Sequence, residues 1–156
     1  MTFKQLQGTK PVDFAPQYVS FLSSESETDR IQLQYHHNSN TGTVYATVRF
    51  GPKAQGPPGH AHGGAISAVF DEIMGATCWF NQLPALTAQY TTRFFKTLPL
   101  EQTVLFESHI KAQDEEKIKL KTRVMDTNGI IYAEAKGLFI AMDGDKFERL
   151  FGLKVH

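Results

Sequence analysis

Apolar and polar residues alternate over residues 31–37 and again over 43–50. In RIQLQYHH, Ile31, Leu33 and Tyr35 oppose Gln32 and Gln34; in TVYATVRF, Val44, Ala46 and Val48 repeat the two-residue period. The intervening NSNTG is turn chemistry, so the pair predicts an antiparallel hairpin. His36 and His37, beside the turn, read as exposed strand-end residues rather than ligands. GPKAQGPPG, residues 51–59, excludes regular structure and marks a shaped loop. The period then changes. Over residues 64–80, Ala65, Ile66, Ala68, Val69, Phe70, Ile73, Met74, Ala76, Trp79 and Phe80 cover nearly the whole circumference of a helix. A helix apolar all round is buried on most sides. From residue 86 to 142 strand-like runs return as LTAQYTTRFF, TVLFESHIKA, KIKLKTRVM and IIYAEAKGLFIAM. Asn128-Gly129 signals a hairpin, and Gln113 to Glu116 a further turn. At the ends, Phe14, Tyr18, Phe21 and Leu22 fit one face of a short helix, SSESETD reads as a solvated loop, and Phe147, Leu150 and Phe151 share a helical face.

The order is two strands, one helix, four strands. One long helix must cover a sheet of about six strands, which predicts an α+β fold with a mostly antiparallel sheet curled around that helix. No repeat or linker divides the 156 residues, so a single domain is expected, with residues 1–29 as an extension and a core of about 30–142. Zero formal net charge argues against nucleic acid and against acidic membrane surfaces as partners. No stretch approaches the ~20 apolar residues of a membrane span, and the N-terminal residues lack the apolar core of a secretory signal. A single cysteine, Cys78, precludes an internal disulfide and reads as inert core. A soluble, cytoplasmic protein is expected.

Within the oily helix stands Asp71. A buried carboxylate is costly unless paired or hydrogen-bonded, so Asp71 is a candidate for function. Glu72 points about 100° away and is expected to take a more solvated direction or an ion pair. At the helix start, Gly63 and Gly64 follow His62, where the first N–H groups lack intrahelical partners. Such groups at the positive end of a helix dipole suit a carbonyl oxygen that gains negative charge. Eight residues of helix put Asp71 roughly 12 Å from Gly63 of its own chain, too far to share one reacting carbon. A two-fold dimer with antiparallel helices would unite them. His60 and His62 form an H-x-H pair without a third ligand, so no metal is expected. Lys117, Lys119, Lys121 and Arg123 line one face of a strand, a solvated face able to attract an anionic coenzyme.

The string P-P-G-x-x-H-G-G-x-I-x-x-x-x-D-E-x-M-G, from Pro57 to Gly75, resembles the hotdog-fold acyl-CoA thioesterases of the PaaI-like and THEM-type groups. LTAQYTTRFFKTLPL is similar to the strand that follows in that family. The resemblance implies a hotdog fold, assembled as a homodimer or dimer of dimers, that hydrolyses an acyl-CoA substrate to an acid and coenzyme A without a separate cofactor. It makes Asp71 the catalytic carboxylate, as general base or nucleophile. The Gly63 N–H, with Gly64, would polarise the carbonyl, and His62 would shape that turn or contact substrate. Thr87 would help hold the water, Arg93 and Lys96 are partners for coenzyme phosphates, and Met74, Phe70 and Trp79 are candidates to line the acyl tunnel or to be simple core. A non-catalytic acyl-CoA binder and a hotdog hydratase or dehydratase are the alternatives.

Overall fold

The computed structural model describes residues 3–14, 20–22 and 29–155. The elements are β1 (Lys10–Val12), β2 (Ile31–Asn38), β3 (Thr43–Phe50), α1 (Gly63–Phe80), β4 (Ala85–Phe94), β5 (Thr103–Asp114), β6 (Lys117–Met125), β7 (Ile131–Ala141) and α2 (Gly144–Phe151). Single 3-10 turns occupy Lys4–Leu6 and Pro52–Ala54. The second lies inside the loop expected to hold no regular structure; Pro52 is tolerated in its first turn because that N–H needs no partner.

The strands form one antiparallel sheet in the order β1-β2-β3-β5-β6-β7-β4. Among the described residues, seven strands replace the expected six or so. The addition is β1, a three-residue edge strand whose Pro11 cannot donate a ladder hydrogen bond and which carries too few residues to show a period. The antiparallel sheet around one long helix, a hotdog fold, is as expected.

The helix buries Ile66, Val69, Phe70, Ile73, Met74 and Thr77 against the sheet, where Phe50, Phe106, Ile118, Leu120 and Phe139 meet it. Phe70 stacks edge-on against Phe106. Met74 lies so close to Gly137 that a Cβ there would sit 2.5 Å from its sulfur. Burying one such side chain stabilises by about 1.5–3 kcal/mol. Cys78 is buried too, and burial pushes its thiol up to about 12, an inert state.

Peripheral expectations fare unevenly. His37 is not an exposed strand-end residue: its ring stacks on Phe80, and burial holds it below the usual histidine range, as it does His36. The C-terminal helix forms, and Phe147 packs between Trp79 and Phe151, but Leu150 stays exposed because the helix contacts the body along a narrow stripe. The expected N-terminal helix over Phe14 to Leu22 falls partly outside the described residues; Phe21 and Leu22 lie in a turn.

Candidate active site

The loop before α1 is held by paired backbone bonds. His62 N–H donates to Ala54 O, and Ala61 N–H to Leu98 O, each at 2.8 Å. Gly56 packs so tightly on His62 that a Cβ would stand 2.8 Å from its Cα. His62 is thereby fixed as N-cap of α1, and its Nδ1 accepts the Gly64 N–H at 2.8 Å. The ring nitrogen must be unprotonated to do so. Gly64 N–H is thus engaged by its own cap, whereas Gly63 N–H has no hydrogen-bond partner among the described residues.

Two turns along, Asp71 is only partly buried, and its Oδ1 accepts the Thr87 hydroxyl proton at 2.7 Å. Thr87 reaches it because β4 is the edge strand beside α1 and carries a register shift between Thr87 and Gln89. Bulges next to sites commonly re-aim a side chain in this way. The bond occupies one carboxylate oxygen.

Glu72 reverses the expectation of a solvated residue or an ion pair. It turns toward β2 and the N-terminal segment, accepting from Tyr35 Oη at 3.2 Å and Ser20 Oγ at 3.5 Å. Burial pushes it up to about 7, against the pull of those hydrogen bonds and with a small addition from the charge of Asp71. The angle of the helix on the sheet decides this, and that angle is not written in the sequence.

A cavity of about 460 Å³ runs along the helix from Gly64 past Ala68 and Asp71 to Gly75, walled by Thr87, Tyr90 and Phe139. This volume is typical of a small-molecule site. Tyr90 was not anticipated. It lines the cavity and donates to Ser67 O at 3.2 Å; burial, then the charge of Asp71, raises its phenol above the usual range.

Phe70 and Met74 are fully buried on the sheet-facing arc of α1, so they build the core instead of lining this cavity. Arg93 and Lys96 are exposed at and beyond the end of β4, Arg93 over the Phe95 ring at 5.4 Å. The structure does not bring either to Asp71. Among the described residues no group of three potential metal ligands occurs, and no helix is long and apolar enough to cross a membrane.

The sequence profile of the Thioesterase superfamily matches residues 58–133, which span the His62 cap, α1, Thr87 and β5 to β6. Over those residues the chain is similar to the thioesterase superfamily. It is 32% identical over 127 residues to acyl-coenzyme A thioesterase THEM4 of Mus musculus, covering 81% of this chain and 55% of that protein. The chain therefore spans about half the length of this curated relative. Among solved structures it resembles a thioesterase superfamily protein at 28% identity and a TM-score of 0.66, covering 69% of this chain and 53% of that one. A thioesterase protein from Streptococcus pneumoniae, solved with coenzyme A, superposes with a TM-score of 0.65 at 16% identity, covering 74% and 90% of the two chains. At that identity the likeness speaks for the fold.

Proposed function

We propose that the protein hydrolyses an acyl-CoA thioester to a carboxylic acid and coenzyme A. The observation that carries this reading is the Asp71 carboxylate, held by Thr87 in the wall of a cavity that follows α1. With Oδ1 engaged, the second oxygen is left to take a proton from water, which then attacks the thioester carbon, or to attack that carbon itself. When water attacks, a C–O bond forms, the C–S bond breaks, and the departing thiolate takes up the proton that Asp71 removed. When Asp71 attacks, the thiolate leaves behind an acyl-aspartate anhydride, and water then hydrolyses that anhydride, releasing the acid, restoring the carboxylate and supplying the thiol proton. The carbonyl oxygen gains charge on the way, and the Gly63 N–H at the positive end of the helix is the donor aimed to meet it.

The donor comes from a second copy of the chain. Within one helix, Gly63 and Asp71 lie about 12 Å apart. Strand β4 is exposed along most of its length, with Leu86, Phe94 and Phe95 43%, 51% and 46% exposed on or beside it. An open edge of this kind pairs readily with an identical edge. Along α1, Gly64, Ala68, Asp71 and Gly75 form one stripe facing the cavity, small enough to admit a second helix closely. A two-fold axis there makes two equivalent sites.

The test is thiol release over a panel of acyl-CoA chain lengths, with Asp71→Asn beside the wild type. Turnover by the wild type, lost in Asp71→Asn, is expected. Acyl-CoA binding without thiol release, or hydrolysis that survives the substitution, would sink the reading.

A further inference from the structure

The outer face of the sheet, away from α1, carries its charges in two unlike arrangements. Along one register row, Glu107, Arg123, Glu134 and Arg93 sit side by side on β5, β6, β7 and β4 with alternating sign. Arg123 bridges Glu107 at 2.9 Å. Two residues further along, the neighbouring row reads His109, Lys121, Lys136, Thr91. Here two lysines stand directly opposite each other, an arrangement that destabilises a sheet. Lys119 follows on β6, and Lys111 is the extra residue where the register of β5 shifts between Ile110 and Ala112. The bulge turns a fourth ammonium toward the same place. Together with Gln89 and Thr91 these lysines line a depression of about 590 Å³.

None of Lys111, Lys119, Lys121 and Lys136 has an ion-pair or hydrogen-bond partner among the described residues. In a chain of zero formal net charge, four unmatched cations in one basin are a local segregation of charge. Their field is felt nearby: burial first, and then the charge of Lys111, hold His109 below the usual histidine range.

We propose that this basin binds a compact anion bearing two or more closely spaced phosphates, at a place separated by the sheet from the cavity of Asp71. The spacing suits such a ligand. Neighbouring strands lie about 5 Å apart and alternate residues about 7 Å apart along a strand, so one phosphate bridges Lys121 and Lys136 while a second meets Lys119 and Lys111. Concave walls raise the local potential and favour a small anion. The adjoining row, with two glutamates and two arginines, carries no net charge and so does not extend the basin into a track for a long polyanion such as a nucleic-acid strand. Two sources supply the chemistry, the nucleotide end of coenzyme A and free nucleoside phosphates.

Calorimetric titration with inorganic pyrophosphate, ADP, 3′,5′-ADP and coenzyme A distinguishes them, and none of these measurements depends on turnover. At least one probe is expected to bind the wild type, more weakly as salt rises. Lys121→Gln/Lys136→Gln should weaken it about tenfold or more, as loss of two charge-assisted contacts does, while Lys117→Gln, outside the basin, leaves it unchanged. Binding confined to 3′,5′-ADP and coenzyme A assigns the basin to the coenzyme. Equal binding of pyrophosphate and ADP assigns it to free nucleotides. The single variant Lys136→Gln, without ligand, should melt slightly higher because the lysine pair no longer repels. Binding of pyrophosphate or of either ADP that persists in the double variant, no binding of any probe, or lysine-dependent binding of a single-stranded oligonucleotide alone would overturn the proposal. Coenzyme A that alone persists marks the Asp71 cavity and leaves the basin without a ligand, which overturns it too.

Discussion

Replacing Gly63 by proline removes one N–H and little else. Gly63 is the first residue of α1, where an N–H has no intrahelical partner and proline is well tolerated. The residue before a proline must be extended, and His62 already is, with φ −66° and ψ 135°. A Cβ at position 63 would meet the Phe94 ring at 3.6 Å, an ordinary contact. The helix should therefore survive, with stability changed by about 1 kcal/mol or less. If the Gly63 N–H stabilises the oxyanion, its loss should lower kcat by about 10²–10³-fold, equivalent to ~2.7–4 kcal/mol of barrier. Gly63→Ala keeps the N–H and serves as the companion, expected to stay near wild type. The assay is kcat and KM for thiol release, with thermal melting alongside. Activity of Gly63→Pro within about threefold of wild type, at an unchanged Tm, would refute the donor role.

Other consequences concern the carboxylates and one crowded glycine. Glu72, raised to about 7 by burial when folded and near 4.5 when unfolded, binds more protons in the native state between those values. Stability should fall as pH rises from about 4.5 to 7 and level off above. The upper bound is about 3 kcal/mol, reduced to about 1–2 by the solvent that reaches this partly buried group. Denaturation from pH 5 to 8.5 should show that slope in wild type and a flatter one in Glu72→Gln; equal slopes would remove Glu72 as its source. Thr87→Val should lower kcat/KM about 10-fold, because Asp71 loses a charge-assisted hydrogen bond, while Thr87→Ser restores most of it; an unaffected valine variant would dismiss the contact. Gly51→Ala places a Cβ 2.4 Å from the Asp29 carbonyl oxygen, so backbone must shift. A loss of about 1–3 kcal/mol by chemical denaturation is expected, and an unchanged midpoint would show that the loop yields freely.

How far the molecule was legible follows from what periodicity encodes. Helix α1 was expected over residues 64–80 and occupies Gly63–Phe80, because eighteen residues carry enough turns for the pattern to declare itself. Strands β2 to β7 were legible from two-residue alternation sharpened by the Asn128-Gly129 turn. Direction around the helix was not. Asp71 and Glu72 look alike in a string, and only the sheet and the N-terminal segment decide that Glu72 turns to Tyr35 and Ser20 while Asp71 meets Thr87. The same rotation puts Phe70 and Met74 in the core. Tyr90 needed the knowledge that β4 borders the helix face. The lysine row on β6 was visible as alternation, but its junction with Lys136 and Lys111 exists only through strand register and a bulge.

The shared site can be tested without any knowledge of the substrate's acyl group beyond one that is turned over. Asp71→Asn retains an intact Gly63, and Gly63→Pro retains an intact Asp71. If both halves belonged to one chain, mixing the two inactive proteins would give nothing. If they come from opposite chains of a two-fold dimer, a mixed dimer holds one site with both lesions and one with neither. Random reassortment makes about half of the dimers mixed, each with one of two sites working, so activity should return to about a quarter of wild type. The exchange is driven by mild denaturant and dilution, and each variant treated alone is the control. The exposed Leu86, Phe94 and Phe95 supply a second handle. Phe94→Asp buries a charge in an edge-to-edge contact and should yield monomers by sedimentation, with activity lost although Asp71 and Thr87 are untouched. Monomers that keep full turnover, or mixtures that recover none, would place both halves of the chemistry within one chain and break the dimer argument at its root.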